Sequence, residues 1–571
     1  MKKSLFIALA VLSAAFVSGC NSGNTVSVSD APAPHLEKRG AATQLVVNGK
    51  PWLALACELK NSSSSSREYM ESIWPQLKAT GLNTVIGSAS WEQIEPQEGV
   101  FDFTAVDDLV EGARAQDLKL VLIWFASWKN GVTSYDPAWV QKDTKRFPLA
   151  LTKDGKQLPI LSTLGQESRD ADARAYAALM RHIREIDSEQ QTVIMIQMQN
   201  EVGLHGYTRD YHPDAVKAFE GPVPAALTRY LASNFDKLIP EMRAAWESHG
   251  CLMEGSWEQV FGKGDYTDEL FMAWNYASYM GYVTEAGKAE YDIPVYVNAW
   301  IVQPEDHHPG NYPSGGPQAQ NHDVWRAAAP SIDILSPDIY LNDYPGISRM
   351  YARGGNPVFI PESRDGHNGA ANAAFTIGEM NGIGYSPFGL DANIDRQSNI
   401  PLYEFYKTAG SMTDTILKAQ AEGRIHGVWL KGSDPFFVKD SRVMGEWKIC
   451  FELISSGMRN GGAPQLTGGT YPAGAYGYAI VIDEGDGRFL FLGSNVRVTF
   501  LPASGEGIVG LGKVTEGYFK DGEWVERRWL NGDEIQLRYD LLYAVDEGFS
   551  GQGLNFSSEM PELQKVELFK Y

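Results

Sequence analysis

The stretch Thr192-Val-Ile-Met-Ile-Gln-Met-Gln-Asn-Glu201 decides how the rest of the chain is read. It is an apolar run that closes on Gln197, Gln199, Asn200 and Glu201 and passes into the Gly-containing Val202-Gly203-Leu204-His205-Gly206. A run of this length, with β-branched residues and polar turn signals at its ends, predicts a strand buried on both faces, as in a parallel sheet. Glu201 then stands at the C-terminal end of a buried strand.

Outward from this run, strand-like and helix-periodic segments alternate from residue 43, the pattern of a repeating βα fold. Three strand candidates precede it: Trp52–Leu59, Asn83–Gly87 and Leu118–Phe125. Between them lie helices over Arg67–Thr80, kinked at Pro75, and Ala105–Gln116. A long loop, Ala126–Gln166, and a helix over Ala171–Ile186 lead into the opening stretch, which counts as the fourth strand. A helical excursion over 213–291 follows. The remaining candidates are Ile293–Trp300, Ile332–Tyr340, Pro357–Glu362 and Gly382–Phe388, with a terminal helix near Pro401–Glu422. Eight strands with intervening helices predict an α/β chain whose residues 43–423 form a (β/α)8 TIM barrel, where functional side chains gather at the C-terminal ends of the strands. After about residue 424 the runs become short, as in Ala475–Ile482, Gly487–Leu492, Asn495–Phe500 and Glu534–Tyr539, with turn pairs at Asp486-Gly487, Asp521-Gly522 and Asn531-Gly532. Residues 424–571 therefore read as a β-sandwich domain.

With 71 acidic against 49 basic residues, the formal charge of −22 repels a polyanion and argues against a nucleic-acid partner. It suits a protein acting on a neutral substrate. The first twenty residues read as a targeting segment: Lys2 and Lys3, an apolar run Leu5–Phe16 too short to span a bilayer, and Val17-Ser18-Gly19-Cys20. That ending resembles a bacterial lipobox, which implies lipidation at Cys20, residues 21–42 as a flexible tether, and a place in the cell envelope, with Asn21 pointing to the outer membrane. An ordinary cleaved secretory signal is the alternative. Cys57, Cys251 and Cys450 are odd in number and widely spaced, so they give neither a disulfide framework nor a metal-ligand pattern. His307, His308 and His322 lack characteristic ligand spacing. Ser62–Ser66 reads as a polar loop with a helix N-cap.

Glu362 ends the seventh strand candidate as Glu201 ends the fourth. In a closed barrel of eight strands these positions face each other across the mouth. Two carboxyls so placed can hydrolyse a glycosidic bond: one protonates the leaving oxygen, the other attacks the anomeric carbon, and a separation of about 5–5.5 Å goes with retention of configuration. Most single acids are merely solvated charges, so the weight rests on the pairing at two strand ends.

These residues resemble the catalytic pair of the retaining (β/α)8 glycosidases of clan A. The stretch Trp91-Glu-Gln-Ile-Glu95-Pro-Gln-Glu-Gly99-Val-Phe-Asp-Phe103 is similar to a motif shared by β-galactosidases of glycoside hydrolase families 35 and 42. Val47-Asn-Gly-Lys-Pro51-Trp and Glu58-Leu-Lys-Asn61-Ser62 favour family 35. The resemblance implies Glu201 as acid/base, Glu362 as nucleophile, Asn200 as a ligand of the sugar 2-hydroxyl, and Tyr340 as a donor to Glu362. It further suggests Trp300 and Trp91 as apolar platforms for the sugar, and Glu58, Asn61 and Glu95 as hydroxyl ligands, although rim packing, loop capping or a structural ion pair would also account for these five. The expected partner is a β-galactoside carbohydrate, with no metal or organic cofactor implied and with membrane contact only through the lipid anchor. The expected activity is removal of terminal β-galactose from plant oligosaccharides or polysaccharides, such as xyloglucan side chains. Two alternatives stay open: another clan A glycosidase, of the family 42 β-galactosidase or endo-β-glucanase type, and a glycan-binding surface lipoprotein without catalysis. Asn-Glu-Val-Gly after the fourth strand departs from the Asn-Glu-Pro or Asn-Glu-Tyr-Gly of the pattern.

Overall fold

A computed structural model describes residues 31–432, 436–454, 474–536 and 550–571. Eight parallel strands form a barrel: β1 (Ala54–Glu58), β2 (Thr84–Ser90), β3 (Lys119–Lys129), β4 (Val193–Asn200), β5 (Val295–Trp300), β6 (Ile334–Ile339), β7 (Phe359–Ile360 with Glu362–Ser363) and β8 (Gly384–Tyr385). Pro361 has no N–H to give to a ladder, so β7 is paired in two pieces. Phe359 and Ile360 pair with β8, whereas Glu362 and Ser363 pair with β6. β8 pairs with β1, which closes the ring. The strands are apolar on both faces because the outer face packs on helices and the inner face fills the barrel. One interior cluster contains Ala54, Ile86, Val121, Ile123, Phe125, Ile194, Tyr296, Ile334 and Phe359.

Leu45 and Val47 belong to that same interior cluster. They come from an antiparallel sheet of His35–Arg39, Ala42–Val47 and Lys50–Trp52 that covers the end of the barrel away from the strand C-termini. This corrects the expected tether over its last part: residues 35–42 are paired backbone, turned at Gly40, and Ala41 N–H bonds to the Ala421 carbonyl at 2.8 Å. Residues 1–30, with the targeting segment and Cys20, lie outside the described residues.

Helix Arg67–Thr80 is split into Arg67–Glu71 and Trp74–Ala79, with Pro75 in the first turn of the second, where its missing N–H costs nothing. The expected loop 126–166 holds the end of β3, a short helix Ala138–Gln141 and a hairpin of Leu149–Leu151 and Gln157–Leu161. Two long helices, α1 (Gln166–Asp187) and α2 (Asp265–Lys288), pack against each other outside β3 and β4, with α2 ending the helical excursion.

From Ile425 the described residues form two antiparallel sheets, one of six strands and one of four, around a core that includes Val428, Ile449, Phe451, Phe491 and Phe500. The barrel helix Gly369–Gly378 is buried along its length against Ile425–Lys431 and Tyr476–Gly485. Gly427 is required there, since a Cβ on it would lie 2.7 Å from the Glu379 nitrogen. The expected strand Glu534–Tyr539 is not formed over its described part, where Asp533–Ile535 is a 3-10 turn.

Candidate active site

The end of β4 is shaped by a bulge. Gln199 and Glu201 have φ of 59° and 46°, the left-handed region that non-Gly residues seldom occupy and that costs on the order of 1 kcal/mol or more each. Side-chain hydrogen bonds impose it. The β3–β4 ladder breaks between Trp124 and Lys129, and Gln199 Oε1 replaces the lost carbonyls by accepting from the N–H groups of Ala126 (3.1 Å) and Trp128 (3.0 Å). Gln199 Nε2 donates to Asp172 on α1 at 2.9 Å, and Asp172 also accepts from Trp124 Nε1 and Ser127 Oγ. This buried clamp fixes where Asn200 and Glu201 leave the strand.

Beyond the clamp, Asn298 on β5 ties three groups together. Its Oδ1 accepts the Glu201 N–H at 3.0 Å, and its Nδ2 donates to Asn200 Oδ1 (3.0 Å) and Asp338 Oδ2 (2.8 Å). Asp338 on β6 lies in register with Trp300 on one side and Glu362 on the other, so the three side chains share the inner face at one level. Tyr340, just past β6, donates its phenol to Glu362 Oε1 at 2.5 Å.

Four carboxyls thus converge: Glu58 from β1, Glu201 after β4, Asp338 from β6 and Glu362 from β7. Burial pushes Glu201 up to about 8, aided by the charge of Glu362. Burial, then the Glu362 charge, hold Glu58 and Asp338 well above the usual carboxylate range. Burial raises Glu362 too, but Tyr340 and the ammonium groups of Lys129 and Lys60 oppose it. Glu362 is the acid among the four that has both a phenol donor and cations favouring its charged form. The environment therefore favours the charged form of Glu362 over that of Glu201, which sets two chemically similar groups apart.

The other expected ligands divide. Glu58 stands in the cluster, with its Oε2 buried and without a hydrogen-bond partner among the described residues. Asn200 sits beside Glu201, with its Nδ2 donating to Asn130. Trp300 is half-buried on the rim, its ring 5.3 Å from that of His205. Asn61 is half-buried in the loop after β1, where its carbonyl accepts from Ser88. Trp91 and Glu95 are corrected. Trp91 is 0% exposed and packs edge-on to Trp139, so it offers no face to a sugar. Both oxygens of Glu95 are engaged within its own loop, by Trp91 Nε1 and by the Gly99 N–H, each at 2.7 Å. The stretch 91–99 is a folded clip that braces the barrel rim. Asp338, Asn298 and Lys129 were not singled out in the sequence, and Gln199 was noted there only as a polar residue closing the run; for Asp338 a signal existed, since it lies two residues before Tyr340.

Residues 61–261, which include Glu201, match the glycoside hydrolase family 42 model, described as beta-galactosidase. Residues 402–541 match a domain of unknown function (DUF5597) that spans the last barrel helices and much of the sandwich. A beta-galactosidase of Xanthomonas manihotis is 30% identical over 187 residues, 31% of this chain and 29% of that protein. One from an Arthrobacter species is 28% identical over 198 residues, 33% of this chain and 25% of that protein. The chain thus spans under a third of the length of these curated relatives. The crystal structure of a beta-galactosidase from the psychrophilic Marinomonas ef1 aligns with a TM-score of 0.43 and 12% identity, covering 65% of this chain and 62% of that one. The part of the chain that bears β2 to β4 and Glu201 is therefore similar in sequence to beta-galactosidases, and the matching family model is of the 42 type.

Proposed function

We propose that the protein is a retaining β-galactosidase working by double displacement. Glu362 attacks the anomeric carbon while Glu201 gives its proton to the leaving oxygen. Water then displaces Glu362 as Glu201 takes up a proton. The observation that carries this reading is the unequal environment of two facing glutamates, one neutral and buried, the other held as a carboxylate by Tyr340 and two ammonium groups. Asn200 and Glu58 contribute hydroxyl contacts and Trp300 an apolar platform. A panel of aryl β-galactoside, β-glucoside, α-arabinoside and β-fucoside tests the sugar preference; turnover of the glucoside above the galactoside would overturn it.

Within clan A, the matched model favours the family 42 type over family 35 for residues 61–261. The proposed natural substrate is a terminal β-galactose on plant oligosaccharides such as galactosylated xyloglucan, cleaved from the end. Supporting this is the similarity of the sequence to β-galactosidases together with its lipobox-like start, which suits an envelope enzyme meeting external glycans. Release of galactose alone from xyloglucan fragments would agree, and cleavage of the backbone would contradict it. Anchoring through Cys20 predicts that Cys20→Ala moves the protein from the membrane fraction to the soluble one.

A further inference from the structure

Asp338 is 2% exposed, and its two oxygens are not alike. Oδ2 accepts from Asn298 Nδ2, whereas Oδ1 is fully buried with no N–H or hydroxyl donor bonded to it among the described residues. The Asp338 carboxyl is also in side-chain hydrogen-bond contact with the carboxyl of Glu201. Two carboxylates cannot be neighbours in a dry site without a proton between them. Asn298 enforces the neighbourhood by gripping the Glu201 backbone with its oxygen and Asp338 with its nitrogen.

We propose that Asp338 is a positioning residue for the acid/base: its carboxyl O–H, oriented by Asn298, bonds Glu201, so that the working unit is a carboxyl pair rather than a lone glutamate. The proposal rests on the reading of Glu201 as the acid/base. In the first step the C1–O bond to the leaving group breaks as a Glu362 oxygen bonds to C1. The leaving oxygen takes the Glu201 proton, and Asp338 keeps its own while donating a hydrogen bond to the new Glu201 carboxylate. In the second step a water oxygen bonds to C1, the C1–O bond to Glu362 breaks with its electron pair returning to Glu362, and the water's proton goes to Glu201. Asp338 ends as it began.

The groups facing the pair agree with a neutral Asp338. Glu362 from β7 and Glu58 from β1 disfavour a further negative charge there. Lys129 from β3 acts on Glu201 and Glu362. The phenols of Tyr296 on β5, Tyr340 beyond β6 and Tyr351 on the helix Tyr344–Tyr351 are all uncharged neighbours.

The test compares Asp338→Asn and Asp338→Ala in the full chain, following the alkaline limb of kcat/KM on phenyl β-galactoside. Asn298 Nδ2 turns the amide oxygen of D338N toward itself and leaves the NH2 to donate to Glu201, so D338N should keep the limb in place and most of the rate. D338A removes the donor that favours the Glu201 carboxylate; its limb should move to higher pH by about one unit, the usual scale of one such hydrogen bond. A limb that falls by a unit in D338N would mean an ionised Asp338, and a limb unmoved in D338A would mean no coupling; either overturns the proposal. Should D338A fail to fold, infrared difference spectroscopy of D338N decides. At pH 7 the variant must lose one protonated-carboxyl band, and retention of the full set overturns the proposal. Azide rescue of Glu201→Ala tests the parent reading separately: if rescue fails, that reading falls, whereas successful rescue with an unmoved D338A limb sinks the carboxyl pair alone.

Discussion

Tyr340→Phe isolates the hydrogen bond that keeps Glu362 charged. The substitution leaves the ring and removes one phenol O–H, which donates to Glu362 Oε1 at 2.5 Å in a largely buried setting. A hydrogen bond to a charged group contributes about 1.5–3 kcal/mol. At about 1.36 kcal/mol per pKa unit, its loss raises the Glu362 pKa by roughly one to two units. The direction follows from the charge state: the bond favours the carboxylate, the carboxylate is the nucleophile, and without the bond ionisation needs a higher pH. The acid limb of kcat/KM should therefore move to higher pH by that amount, and at a fixed pH on that limb the rate should fall about 10- to 100-fold. The alkaline limb, set by Glu201 near 8, should move less. The assay is kcat/KM on an aryl β-galactoside across pH, with the melting temperature as a control for folding. An acid limb that stays in place, or moves to lower pH, in a folded variant would refute the assignment of Tyr340 to Glu362.

Trp91→Phe should lower the melting temperature, since it removes buried indole volume and the donor to Glu95, while leaving KM for aryl galactosides unchanged; a raised KM with intact stability would restore Trp91 to the sugar site. Gln199→Ala leaves the N–H groups of Ala126 and Trp128 buried without acceptors, at about 1–3 kcal/mol each, and should lower both stability and kcat. Glu201→Gln should flatten the fall of stability with pH. A carboxyl whose folded pKa is raised stabilises fully below its unfolded value near 4.5 and loses that contribution as pH rises through about 8. Chemical denaturation should then show the variant gaining on the parent at pH 8 relative to pH 4.5, by at most about 4 kcal/mol at 1.36 kcal/mol per unit.

The barrel was legible because parallel strands with both faces covered leave uninterrupted apolar runs, such as Val193–Met198, that need no tertiary information to be noticed. The sandwich showed itself through its short runs and Asp-Gly turns, of which Asp486-Gly487 and Asp521-Gly522 have the positive φ values that tight hairpins require. Residues 35–42 were misread because a polar hairpin turned at a single Gly carries almost no apolar signal. Trp91 and Glu95 were misread for another reason: β2 runs on to Ser90, and only the fold shows that the next nine residues close on themselves. Asn298, Asp338 and Lys129 are placed by strand register around a closed ring, between residues on separate strands and far apart in the chain, and no local pattern encodes that. Gln199 acts through a bulge, and a bulge depends on where the neighbouring strand stops pairing.

Azide rescue with product stereochemistry tests the central claim most directly. Glu201→Ala and Glu362→Ala are each assayed on 2,4-dinitrophenyl β-galactoside with and without azide, and the galactosyl azide is identified by NMR. If Glu201 is the acid/base and Glu362 the nucleophile, azide accelerates both variants, giving the β-azide from Glu201→Ala and the α-azide from Glu362→Ala. Parent-like hydrolysis by either variant without azide, or the opposite pair of anomers, would contradict the account.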